Sequence, residues 1–364
     1  MRHEAFLFVV FGASLCFQQA NFLPPAVREK RLICFRQMGL LGSAHELTTG
    51  WIGRGTKRHH KDPAEFRQVV VQVWYPAKSG KEPTAPYVPE LNAYRPVWEK
   101  SEVDLAIRTR THSHINARPV SGVPFPVVLL SHGWNGTRSE YTSLAEDLAS
   151  HGFAVFGVDH PYMGRIVLAN GKVTEATEDQ FQDAAEIMEY YGRDLQFVID
   201  QIAKLNAADG DKVLGRSLDL SCIAAIGHSS GFSAPSTACR HDHRIQACIN
   251  VGAPGFKTEL LAGLHQPLLW IRLERAGPVP REFLQTTTAA VYELQIKDAS
   301  HGSVEDWDYL RAASPREREA AARRLILIRR YVEAFLEKSL QDHDSDLLSN
   351  SETKAIKLER YPAR

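Results

Sequence analysis

Short apolar runs that alternate with helical segments most constrain the fold of this 364-residue chain. The runs are rich in Val, Ile, Leu and aromatic residues along most of their length, as strands are when both faces of a sheet are covered. Their alternation with helices predicts a mostly parallel central sheet with helices on both faces. The predicted strands comprise residues 68–75, 127–130, 153–158, 222–226, 247–251, 268–273 and 290–296.

The helical signals between these runs are equally regular. Thr137 and Glu140 have the spacing of a capping box, and Ser314 and Glu317 repeat it at the start of a final helix. A long helix precedes the fourth strand and has an apolar face. That face comprises Leu195, Val198, Ile199, Ile202 and Leu205.

We therefore predict one α/β domain over residues 45–340. Within it, residues 76–125 form a Pro-rich excursion and residues 160–180 a loop. The polar residues 341–364 are expected to form a disordered tail.

The N-terminus raises the question of targeting. Residues 5–17 form an uncharged apolar run that follows Arg2 and His3. A run of this length is typical of the apolar part of a signal peptide, although Glu4 dilutes the basic charge before it. We interpret residues 1–44 as an N-terminal extension that carries a signal peptide or a membrane tether, which favours an exported protein over a cytoplasmic one.

Composition limits the classes of partner. Lys and Arg number 43, as do Asp and Glu, so the net charge gives no indication of a nucleic-acid partner. The five cysteines lack zinc-ligand spacing, and their odd number argues against a disulfide framework while leaving room for one bridge. Cys222 and Cys248 lie in predicted strands, where we expect buried apolar side chains. The sequence implies no metal and no organic cofactor.

The segment Gly227-His228-Ser229-Ser230-Gly231 follows a predicted strand directly. Gly-x-Ser-x-Gly in a strand–turn–helix context is typical of a nucleophile elbow, where a strained turn exposes a serine hydroxyl. The glycines allow the backbone to approach closely on both sides. Ser229 is therefore the candidate nucleophile.

A serine nucleophile needs a base and oxyanion donors. His301 lies in a loop directly after the last predicted strand, where the base belongs in such a fold. The backbone N–H of Ser230, which follows the nucleophile, supplies one oxyanion donor. Trp134, after His132-Gly133 and an early strand, supplies the second.

Four segments together resemble the platelet-activating factor acetylhydrolase family (plasma and intracellular type II) of the α/β-hydrolase superfamily. They read VVVQVWYPA, PFPVVLLSHGWNGTRSEYTSLAEDLASHGFAVFGVDHPY, IAAIGHSSG and RIQACINVG. The resemblance covers roughly residues 68–310. It implies an α/β-hydrolase fold and a cofactor-independent serine esterase that cleaves short acyl groups from phospholipids or similar small esters, with peripheral membrane contact. It carries over Ser229 as nucleophile, His301 as base, and Trp134 and Ser230 as oxyanion donors.

Departures from the family pattern lie around the elbow and at the catalytic acid. Ser230 and Phe232 replace the usual Phe and Gly of the family's elbow, and Pro235 is expected to kink the helix that follows. Gly252 stands where the family has its catalytic Asp.

Another carboxylate must then support the histidine, since a triad without its acid loses about 10⁴ in rate. Glu274, at the end of the next strand, gives the chain order Ser229–Glu274–His301 that the superfamily uses. Asp159 and Asp298 are the alternatives, and a surface ion pair with a neighbouring arginine is the non-catalytic interpretation of Glu274.

Two further functional hypotheses remain open. One is a general carboxylesterase or polyester hydrolase, with substrate choice set by residues 76–125 and 160–180. The other is a binding protein that keeps the hydrolase fold but has lost the acid, as Gly252 suggests. Retention of Ser229, His301 and both oxyanion elements favours the enzyme.

Overall fold

The computed structural model describes residues 68–78, 81–168, 171–176, 184–207, 213–253, 262–274 and 276–364, together with two earlier strands. These residues form a single sheet with helices on both sides. The strands are β1 Asn21–Phe22, β2 Leu32–Leu41, β3 Gln68–Ala77, β4 Thr84–Pro86, β5 Thr109–Ile115, β6 Phe125–Ser131, β7 Ala154–Asp159, β8 Leu218–His228, β9 Ile245–Val251, β10 Leu268–Arg272, β11 Val291–Ile296, β12 Ser351–Glu352 and β13 Ile356–Tyr361.

The centre of the sheet is parallel. Its strand order is β1-β5-β2-β3-β7-β6-β8-β9-β10-β11-β13-β12, and every neighbouring pair from β7 to β11 is parallel. Strand β3 joins β7 antiparallel, and β13 joins β11 antiparallel. This is the α/β-hydrolase arrangement, so the predicted fold class is confirmed.

The α-helices of the described residues lie in the connections between strands. They are α1 Leu91–Tyr94, α2 Lys100–Arg108, α3 Thr142–Ser150, α4 Ala184–Asn206, α5 Ser233–His241, α6 Arg281–Thr286, α7 Asp306–Leu310 and α8 Pro315–Gln341.

The core divides between the two faces of the sheet because successive strand residues point to opposite sides. In β6, Val127 and Leu129 pack with Leu195 of α4, whereas Val128 and Leu130 pack with Leu148 of α3. Helix α8 covers the second face as well. Continuous apolar strands are therefore required, which is why the sequence shows runs rather than alternation.

Pro235 lies in the first turn of the helix that follows the elbow. A 3₁₀ turn, Ser229–Phe232, precedes α5, so Pro235 is the third residue of the α-helix. The N–H groups of a first helical turn have no partner within the helix, and a proline there costs little.

The chain termini correct two sequence predictions. Residues 341–364 are not disordered, because β13 pairs with β11 and buries Ile356 and Leu358. Strand β2, inside the predicted N-terminal extension, pairs with β3. The sheet thus extends past both limits of the predicted domain 45–340. The apolar run at residues 5–17 lies outside the described residues.

The cysteines correct a third prediction. Cys248 is buried, as expected, but it is bonded to Cys239 across nine residues rather than free. The disulfide joins α5, the helix after the elbow, to β9. Cys222 is free and half-buried.

Candidate active site

Ser229 sits at a sharp turn between β8 and a 3₁₀ helix, with a φ of 52°. Positive φ is costly for a residue with a side chain, so the surrounding structure must enforce it. Two glycines make the turn possible. A Cβ at Gly227 would lie 2.5 Å from the Cα of Phe232, and one at Gly231 would lie 2.0 Å from the carbonyl oxygen of His132. The predicted elbow geometry is present.

The side chain of His301 meets Ser229. Strand β11 ends at Ile296, and the following turn passes through Asp298 at a φ of 64°. This brings Nε2 of His301 to 2.8 Å from Oγ of Ser229. With Nε2 unprotonated, the serine hydroxyl donates to it, which is the starting geometry for general-base activation.

The loop after β6 lies against the elbow. The pairing Ser131↔Gly227 between β6 and β8 sets this position. A Cβ at Gly133 would be 3.5 Å from the Cβ of Ser229, and Trp134 follows directly. We refer to residues 132–136, in which the sequence predicts an oxyanion donor, as the oxyanion loop. Several backbone bonds hold it, among them Asn135 N–H donating to Met163 O at 2.7 Å.

His132 braces this loop in its neutral form. Nδ1–H donates to the carbonyl of Gly133 at 2.7 Å, and Nε2 accepts the backbone N–H of His160 at 3.1 Å. A ring nitrogen that accepts an N–H cannot also be protonated. Burial, the largest cause, lowers the pKa of His132 to about 4. The loop is therefore stabilised by an uncharged, fully buried imidazole.

A buried polar row beneath the loop escaped the sequence analysis. His160 Nδ1–H donates to Asp194 at 2.9 Å, and Ser131 Oγ lies 3.0 Å from His160 Nε2. All three side chains are at most 4% exposed, so no substrate can reach this Ser–His–Asp row. It fixes the end of β6 instead. The strand that ends in Ser131 and the position of His160 directly after β7 are visible in the sequence. The contact of His160 with Asp194 on α4 is not.

The position of the family's acid is occupied by a glycine in the left-handed backbone region. Gly252 follows β9 with a φ of 66°, and a Cβ there would lie 2.9 Å from Cδ1 of Leu273. An aspartate at this site would face both backbone strain and a packed leucine.

The three carboxylates suggested by the sequence occupy different environments. Glu274 lies directly beyond β10 and its backbone N–H donates to Ala299 O at 2.9 Å, two residues before His301. Its side chain is exposed. Asp298 is likewise exposed, in the turn after β11.

Asp159 is committed to a structural ion pair. It is fully buried and accepts both the backbone N–H of Arg138, at 2.7 Å, and its guanidinium. The same guanidinium reaches Glu90 and, at 3.2 Å, Gln72. Arg138 thereby ties the excursion at residues 76–125 to the segment after the oxyanion loop.

Aromatic side chains of that excursion pack against α7. Trp307 of α7 contacts Tyr87 and Trp98 with ring centroids 5.9 and 6.1 Å apart, and Trp98 stacks on Tyr94. An open cavity of about 420 Å³ is lined by Gly302, Glu305 and Trp307 and by residues of α8. The excursion that the sequence identified packs against the segment that follows the His301 loop.

Two features are absent from the described part of the chain. No helix there is long and apolar enough to cross a membrane. Nor do the described side chains include a group of three or more His, Cys, Asp or Glu residues placed to hold a metal ion.

Comparison with solved structures gives the same fold. A ferulic acid esterase from Streptomyces cinnamoneus superimposes with a TM-score of 0.75 at 26% sequence identity, over 93% of this chain and 99% of that one. Fold and elbow geometry together define the class: the chain belongs to the α/β-hydrolases.

Sequence comparison narrows the class. Residues 63–190, which include the oxyanion loop, match the family described as platelet-activating factor acetylhydrolase, isoform II. A probable 1-alkyl-2-acetylglycerophosphocholine esterase of Arthroderma benhamiae is 31% identical over 34% of this chain and 30% of its own. Platelet-activating factor acetylhydrolase of Bos taurus is 26% identical over 44% and 42%. The matches span less than half of these relatives, and they confirm the resemblance to this family.

Proposed function

We propose that this protein is a serine ester hydrolase that cleaves short-acyl esters in the manner of the platelet-activating factor acetylhydrolases. The observation that carries the proposal is the 2.8 Å contact between His301 Nε2 and Ser229 Oγ at a positive-φ elbow beside the oxyanion loop. The family match supports the ester class, and the esterase fold match supports it over nearly the whole chain.

In the proposed reaction, Ser229 Oγ attacks the ester carbonyl carbon as His301 Nε2 takes its proton. The resulting oxyanion accepts hydrogen bonds from the backbone N–H groups of Trp134 and Ser230. Collapse breaks the bond to the alcohol, which leaves with the proton from His301. A water molecule activated by His301 then attacks the acyl-enzyme, releasing the carboxylic acid and restoring Ser229.

The proposal is tested with p-nitrophenyl acetate and a fluorophosphonate probe. We expect the wild type to hydrolyse the ester and to be labelled, and Ser229→Ala to lose both properties. Ser221→Ala is the matched control, because Ser221 is an exposed serine on the same strand, β8, whose hydroxyl bonds to Asp219 and contacts Cys222 Sγ. A wild type that neither hydrolyses nor labels would instead support a binding protein that keeps the hydrolase fold.

A second candidate, a general carboxylesterase, is favoured by the breadth of the ferulic acid esterase match. We expect a higher kcat/KM for a 2-acetyl glycerophospholipid than for methyl ferulate, and a decline as the acyl chain is lengthened. A clear preference for methyl ferulate would favour the carboxylesterase.

A further inference from the structure

Two buried side chains join the oxyanion loop to the loop that carries His301. His228 is the last residue of β8 and directly precedes Ser229, and Tyr141 ends the 3₁₀ helix after the oxyanion loop. Their exposed fractions are 3% and 1%. Neither residue touches the serine hydroxyl in the proposed reaction, so any role they have is exerted through the loops they contact.

The hydrogen bonds between them have one consistent direction. His228 Nε2 lies 3.0 Å from the carbonyl oxygen of His301, and a carbonyl can only accept, so Nε2 carries the proton. In the neutral ring Nδ1 is then an acceptor, and the Tyr141 hydroxyl, 2.8 Å away, donates to it. The Tyr141 oxygen in turn accepts the backbone N–H of Gly133 at 3.1 Å.

The contact with the oxyanion loop is tight as well as hydrogen-bonded. A Cβ at Gly133 would lie 3.1 Å from Nδ1 of His228, so the loop rests directly on this ring. The rings of His228 and His301 are 4.8 Å apart between centroids. Glu305 Oε1 also lies 3.3 Å from this Nδ1.

We propose that Tyr141 and His228 are positioning residues that set the oxyanion donors and the His301 ring at their working distances from Ser229. The proposal rests on the function proposed above. In this role, the hydrogen bonds that run from Gly133 through Tyr141 and His228 to His301 hold the reacting groups in place. Their loss lowers the rate, because reacting groups displaced by about 1 Å lose on the order of 100-fold in rate.

Amide substitutions at His228 distinguish its contact with His301 from its contact with Tyr141. The amide nitrogen of Gln reaches the position of Nε2 and can still donate to His301, whereas the shorter Asn reaches only the position of Nδ1. We expect His228→Gln to keep a kcat at least about 10-fold above that of His228→Asn. Tyr141→Phe is expected to lower kcat about 10-fold with KM unchanged, since both loops move by part of an ångström.

Tyr75→Phe is the matched control. Tyr75 lies on β3, away from the site, and its buried hydroxyl donates to Ala117 O at 3.0 Å. It should lower the melting temperature to a similar degree as Tyr141→Phe without changing kcat or the pH profile of kcat/KM. A displaced His301 should also slow fluorophosphonate labelling in Tyr141→Phe but not in Tyr75→Phe.

The outcomes distinguish this inference from the proposed function. An inactive, unlabelled wild type overturns both. If the wild type is active, an unchanged kcat in Tyr141→Phe, or equal activity of His228→Gln and His228→Asn, overturns only the positioning role of Tyr141 and His228. If the His228 variants melt below the assay temperature, the Tyr141→Phe kcat and labelling rate decide the question.

Discussion

The Nε2 atom of His301 lies 2.8 Å from the Oγ atom of Ser229, although 72 residues separate them in the chain. In the sheet, β9 and β10 lie between the strands that precede these residues. Neighbouring strands are about 4.8 Å apart, so the loop after β11 must cross roughly 14 Å over the strand ends. The bond from Glu274 N–H to Ala299 O ties this loop to the end of β10 on its way.

The exposure of Glu274 leads to a prediction about the catalytic acid. We expect Glu274→Gln to lower kcat less than about 10-fold, because an exposed, solvated carboxylate contributes little to stabilising the positive charge of a histidine. Loss of a triad acid would cost about 10⁴. The measurement is kcat for p-nitrophenyl acetate, once Ser229→Ala has defined the background.

Asp298→Asn serves as the comparison, since Asp298 is also exposed and lies closer in sequence to His301. A loss of 100-fold or more in the Glu274 variant alone would show that its side chain turns toward His301 and acts as the acid.

The neutral, buried His132 predicts a pH dependence of stability. Its pKa falls from 6.5 in the unfolded chain to about 4 in the fold. Between these values the unfolded chain binds more protons, so the free energy of unfolding falls as the pH is lowered from 6.5 towards 4. A pKa difference of about 2.5 corresponds to a change of about 3 kcal/mol in the free energy of unfolding over the whole interval. Urea unfolding at a series of pH values between 4.5 and 7.5 measures how this free energy falls.

A His132→Asn variant should lose this part of the pH slope while being less stable at pH 7.5. The control is His343→Asn, in which an exposed histidine is replaced and the slope should not change. Equal slopes for the wild type and His132→Asn would contradict a neutral His132.

The elbow geometry predicts that alanine substitution lowers stability and activity far more at Gly231 than at Gly277, which lies outside the elbow. Gly231→Ala would place a methyl group 2.0 Å from the carbonyl oxygen of His132, a backbone atom that cannot move without shifting the oxyanion loop. We expect a loss of at least about 3 kcal/mol in stability and of ester hydrolysis. In Gly277→Ala nothing lies within 4 Å of the new methyl group, so stability and activity should stay near wild type. Melting temperature and kcat, measured together, test the pair, and a fully active Gly231→Ala would contradict the described elbow.

The sequence predicts the central strands well because a strand buried on both faces must be apolar along its length. The long helix α4 is equally evident, since Leu195, Val198, Ile199 and Ile202 are all buried on one face. The polar segment that forms β13 gives no such signal. It lies next to the edge of the sheet, between β11 and the two-residue β12, and needs only two inward residues, Ile356 and Leu358, to join the sheet.

By itself, the sequence determined the α/β class, the elbow serine and the loop in which His301 lies. These depend on local patterns: apolar runs, glycine spacing and position after a strand. Only the tertiary structure decided that Asp159 pairs with Arg138, that Cys239 bonds Cys248, and that Tyr141 and His228 link the two loops. Such contacts join residues far apart in the chain, and their partners are selected by the register of the sheet and the packing of helices across it.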